Sequence, residues 1–122
     1  MKNGDELVDA IISLAQRLGR EIAESAAAKA LRAAQEAVDG QPELKKLLED
    51  YRVQSQKMME LRESGKPIEV SDKHRVQELQ SKLAGSEVFK KLTGAQVEYV
   101  DMLRKVNDAM RKELAATERH VA

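Results

Sequence analysis

Two histidines, His74 and His120, are the residues to test first for chemistry, because imidazole with carboxylate is a common metal donor set. Helix bundles that hold carboxylate-bridged metals use Glu-x-x-His pairs on facing helices, so that the ligands converge on one face. The residues three before His74 and His120 are Ser71 and Thr117, so that motif is absent. His74 and Glu78 stand at i and i+4 and could touch one ion, but no further ligand accompanies them. A solvated His beside a carboxylate is the simpler reading. Gly65-Lys66 has the look of a phosphate-loop ending, yet the glycine needed five residues earlier is Glu60, and Pro67 stands where Ser or Thr should be. A turn that stops a helix accounts for it. The many Asp and Glu residues lie among Lys and Arg, as on solvated helix faces, and nothing pairs them as general acid and base. No catalytic residue, cofactor or metal site is expected, and the chain is expected not to be an enzyme.

Composition closes further routes. There is no cysteine, so the chain supplies no disulfide, thiol nucleophile or cysteine-ligated cluster. The 21 basic and 21 acidic side chains give a formal net charge of zero, which offers no general attraction to nucleic acid or anionic membrane. Residues 71–92 can be read as a helix-turn-helix with Lys90 and Lys91 at phosphates. Residues 85–122, however, hold seven basic and six acidic side chains, a net of +1, short of the basic footprint that phosphate binding demands. A helical nucleic-acid module is therefore one alternative to the leading reading, and a structural oligomer with no regulatory role is the other. The apolar run Ala10 to Ile12 is too short for a signal core or a spanning helix, and a cytoplasmic location is expected.

The elements that must position any working surface are helices. Leu7, Ile11, Leu14, Leu18 and Ile22 recur at steps of four, three, four and four, which predicts a helix over 5–23, with Asp5, Glu6 and Asp9 suited to its positive end. Ser25 caps a second, alanine-rich helix, Ala26 to Val38, followed by Gly40 as a left-handed cap and Pro42 as the opening of the next. The third helix runs from Pro42 to about Ser64, and Ser64, Gly65 and Pro67 stop it. Ser71 and Asp72 start a short fourth helix with Val76, Leu79 and Leu83. Gly85 and Ser86 then cap a fifth, expected over 86–117 with a frayed tail at 118–122. Nothing alternates as a strand does. The expectation is a single all-α domain over 1–122: a hairpin or bundle of about five helices, with two long antiparallel helices at 42–64 and 86–117.

Aromatics make up only 2% of the chain, so its core must be slender and built from aliphatic side chains. On the fifth helix Phe89, Leu92, Tyr99, Leu103, Val106 and Met110 form a seam too long for the short fourth helix to cover. Those six residues are the expected oligomer or partner interface, with the long helices associating and methionines as adaptable filler.

Several motifs carry a family likeness. Glu24-Ser25 before an alanine-rich helix, Gly40-Gln41-Pro42-Glu43, Ser64-Gly65-Lys66-Pro67-Ile68, Val76-Gln77-Glu78-Leu79-Gln80, Val88-Phe89-Lys90-Lys91-Leu92 and Ala95-Gln96 follow in an order that resembles the YlbF/YmcA (Com_YlbF) family of small bacterial helical proteins. The resemblance spans residues 5–115. It implies a cytoplasmic, non-catalytic regulator that forms homo- or hetero-oligomers. Some members act in competence, biofilm formation and sporulation through a complex that assists RNA maturation. Ala28 and Leu31 stand where relatives often carry aromatics, and the cysteines by which certain members hold iron-sulfur clusters are missing here. The expected partners are a second copy of the chain and other protein subunits, without direct nucleic acid or membrane contact.

Overall fold

The structure is a computed structural model and describes the backbone of residues 3–121 and the side chains of residues 3–118. Five α-helices follow in order: α1 Gly4–Ala23, α2 Ala26–Asp39, α3 Pro42–Glu63, α4 Val70–Ala84 and α5 Glu87–Val121. The described residues contain no strand, and the protein is all-α. Helix starts fall near the expected places because short polar side chains replace missing backbone partners there. The Ser25 hydroxyl accepts from the Ala28 N–H at 3.2 Å, and Ser86 does the same for Phe89 at 3.1 Å. Asn3 caps α1 by accepting from the Glu6 N–H at 2.8 Å.

Three junctions differ from expectation. Gly40 does not take the left-handed conformation, which among the described residues belongs to Gly65, with φ of 73°. There α3 ends in a paired arrangement: the Lys66 N–H donates to the Leu61 carbonyl at 2.9 Å and the Gly65 N–H to that of Arg62 at 3.2 Å. After α2 the chain turns more tightly, with the Gln41 N–H on the Val38 carbonyl at 2.9 Å and Pro42 opening α3. α4 begins at Val70 with Glu69 as its N-cap, so Ser71 and Asp72 lie inside the first turn rather than before it. At the far end α5 continues to Val121, a run of 35 residues or about 52 Å. Its backbone stays helical beyond 118, where the sequence predicts fraying, and Ala122 lies outside the described residues.

Two compact units separate within the chain: Ala33–Gln96, and Met1–Arg32 with Val97–Ala122. In the first, α3 and α4 pack as an antiparallel pair. Asp50 faces Arg75 at 3.7 Å, and further along α3 Lys57 meets Asp72 at 2.9 Å. Leu44, Leu79, Leu83 and Leu92 are buried here together with Val38, and Leu79 is only 1% exposed. Burying each such side chain stabilises by about 1.5–3 kcal/mol. In the second unit Ala28 is buried and the Arg32 guanidinium donates to the Ala23 carbonyl at 2.8 Å, which ties the end of α1 to α2.

Candidate functional site

α1 is the least covered helix of the molecule. None of its residues is buried, although its apolar side chains gather on one side. At 100° per residue, Leu7, Ile11, Leu14 and Leu18 fall within about 60° of arc, and Val8 and Ile12 widen the band to about 160°. Ile11 is 65% exposed and Leu14 67%, while Leu7, Val8 and Ile12 are also exposed. Ala10, nearer the start, is half-buried, and towards the C-terminal end Leu18 and Ile22 become so. There Gly19, Ile22 and Ala23 of α1, Ala28, Leu31 and Arg32 of α2, and Tyr99 of α5 line an open notch of about 210 Å³.

The C-terminal part of α5 belongs to the same unit. Tyr99, Leu103 and Val106 are half-buried there, neither enclosed nor free, whereas Met110 and Leu114 are exposed at 46% and 64%. Val97 and Val100 are exposed as well. The expected six-residue seam is thus shared between the two units: Leu92 is buried and Phe89 half-buried within Ala33–Gln96, and Tyr99, Leu103, Val106 and Met110 belong to the other. In the sequence, the spacing of Leu7, Ile11 and Leu14 signals a helix but does not single it out as a docking face. Exposure, which spacing cannot report, is what sets α1 apart.

Some of the charged groups pair with one another. Glu78, the carboxylate beside His74, accepts from Lys82 at 3.0 Å and faces Arg75 at 3.7 Å. The Lys82 hydrogen bond, followed by the charges of Lys82 and Arg75, holds its carboxyl below the usual range. His74 is exposed, and the His120 side chain lies outside the described residues. Among the described residues no group of three His, Cys, Asp or Glu side chains gathers in a metal-binding arrangement, and no helix is long and apolar enough to cross a membrane. Two further open hollows face solvent, one among Arg17, Arg20, Glu21 and Glu24 and one at Gly40 to Glu43.

The order of capped helices and the apolar band are the features by which known proteins can be compared. The family described as "Control of competence regulator ComK, YlbF/YmcA" matches residues 11–115. The chain belongs to the Com_YlbF family. Among solved structures, it is similar to Bacillus subtilis RicA, crystallised in complex with RicF. The TM-score is 0.74 at 18% identity, over 93% of this chain and 97% of RicA. At that identity the likeness is one of fold, and it extends over nearly the whole length of the Com_YlbF chain. No curated protein sequence matches the chain.

Proposed function

We propose that the chain is a non-enzymatic regulatory adaptor that seats the apolar faces of α1 and of the C-terminal half of α5 against other protein subunits. The complex it serves is of the kind that controls RNA processing or development. The observation that carries this reading is α1, a capped helix of 20 residues with a continuous apolar band and no buried side chain. An isolated helix with its apolar face in water gains nothing from amphipathicity, so a covering surface is what gives the pattern a purpose. Membership of a family of regulators supports the regulatory role. The presence of RicA in a complex with RicF supports protein partners. Zero net charge favours protein over nucleic acid as the contact.

Affinity capture from the native cell, comparing wild type with a variant carrying Leu103→Glu and Met110→Glu, tests the reading. A defined set of protein subunits, including RNA-processing factors, is expected with wild type and lost with the variant. Capture of nothing above background, or of RNA without protein, overturns it.

A further inference from the structure

We propose that Asn3 and Gly4 form a self-modification site at the start of α1, where the backbone nitrogen of Gly4 attacks the Asn3 side-chain amide and converts it to aspartate and isoaspartate.

The nucleophile is the first requirement. Gly4 directly follows Asn3, and a glycine nitrogen has no Cβ beside it to shield it. A Cβ built at Gly4 would have nothing within 4 Å, so the surroundings leave the approach open as well. Gly4 is the first residue of α1 and Asn3 is its N-cap. The N–H groups of a first helical turn have no acceptor within the helix, so the Gly4 nitrogen is not tied up in the backbone ladder.

The electrophile is the second. Oδ1 of Asn3 accepts from the Glu6 N–H at 2.8 Å. Attack at Cγ gathers negative charge on that same oxygen, where a backbone donor at the positive end of the helix is already aimed. The Asp5 and Glu6 carboxylates oppose loss of the Gly4 proton, and the helix end acts against them. Ring closure requires rotation about the Cα–C bond of Asn3 away from its ψ of 174°. At a helix end that movement opens only the first turn.

The step balances without an outside reagent other than water. The Gly4 nitrogen gives up its proton to water or hydroxide and bonds to Cγ. The bond from Cγ to Nδ2 breaks, and Nδ2 takes up a proton and leaves as ammonia. Water then opens the five-membered imide. Cleavage between nitrogen and Cγ leaves aspartate, and cleavage between nitrogen and the main-chain carbonyl leaves isoaspartate, whose backbone is longer by one methylene. Nothing is oxidised or reduced. Aspartate keeps an acceptor for the Glu6 N–H, whereas isoaspartate displaces it and loosens the turn that leads into Leu7 and Val8.

Two other positions lack one of these requirements. Gly40 follows Asp39, but its N–H donates to the Glu36 carbonyl at 3.1 Å, and the Asp39 carboxylate faces Lys45 at 3.7 Å. Asn107, the other asparagine of the chain, lies inside α5, where the following N–H is held in the helical ladder.

The test holds the purified chain at neutral pH and follows it by peptide mapping with mass spectrometry, with enzymatic carboxyl methylation to report isoaspartate. Wild type is expected to exchange the side-chain NH2 for OH at Asn3 and to gain isoaspartate there, with Asn107 converting at least about tenfold more slowly. Gly4→Pro removes the attacking N–H, and Pro suits the first position of a helix, so helicity by circular dichroism should persist. Conversion at position 3 should then fall by at least about tenfold. Gly4→Ala keeps the N–H but adds a shielding methyl, and its rate should lie between the two. No conversion at Asn3, equally fast conversion at Asn107, or a wild-type rate in Gly4→Pro and Gly4→Ala overturns the inference.

Discussion

The ammonium of Lys57 on α3 lies 2.9 Å from Oδ1 of Asp72 on α4, and the same oxygen accepts from the Gln54 side chain at 3.1 Å. Asp72 is the buried charged residue among those described, at 7% exposure. A carboxylate placed there without donors would be strongly unfavourable, so Lys57 and Gln54 are what allow it between the two helices. The Lys57 hydrogen bond, then that of Gln54, holds its carboxyl below the ordinary carboxylate range.

That depression has a definite pH consequence. A group whose folded pKa is lowered contributes stability that is present above its unfolded value, about 3.9 for Asp. The contribution is lost as pH falls through the folded value. Thermal melts should therefore show wild type more stable than Asp72→Asn at pH 7, with the two curves converging as acid protonates Asp72. Lys57 is shifted upward by the same pair. Its contribution is present below the ordinary lysine value and fades only as pH rises past about 10.4. A constant gap between wild type and Asp72→Asn down to pH 2 would contradict the assignment.

Core and exposed band should respond differently to truncation. Leu79→Ala removes a side chain that is 1% exposed and should cost about 2–5 kcal/mol in urea unfolding. Ile11→Ala, at 65% exposure, should change stability by less than about 0.5 kcal/mol.

Two glycines are expected to give opposite signs. Gly65 has φ of 73°, and a methyl group added at its Cα would stand in open space, so Gly65→Ala meets only backbone strain and should destabilise by about 1–2 kcal/mol. Gly19 lies inside α1 with nothing within 4 Å of an added Cβ. Gly19→Ala should raise stability by up to about 1 kcal/mol. Denaturant titration of both variants checks the pair.

The serine caps provide a third comparison. Ser25→Ala and Ser86→Ala each remove a hydroxyl that accepts a first-turn N–H, at 3.2 Å and 3.1 Å, and each should cost about 1 kcal/mol. Hydrogen exchange should report faster opening confined to the start of α2 or α5, respectively.

Local chemistry determined what the sequence made legible. Ser25, Ser86 and Pro42 mark helix starts because they meet the needs of unpaired backbone groups within a few residues, and the three- and four-residue spacing of Leu and Val identifies the buried side of α4. The absence of strands among the described residues follows from the same periodicity. Tertiary packing decided the rest. Leu92 and Met110 continue one apolar stripe, yet Leu92 is buried and Met110 is 46% exposed, because coverage depends on which helix comes alongside. Asp72 reads as a helix cap and instead lies between α3 and α4, held there by Lys57 from fifteen residues away. The band on α1 has the spacing of a core-facing helix, yet Ile11 and Leu14 are 65% and 67% exposed because no other part of its own unit is packed over them. Spacing along a chain fixes which side of a helix is apolar, whereas the area that stays in water is set by contacts between residues distant in sequence.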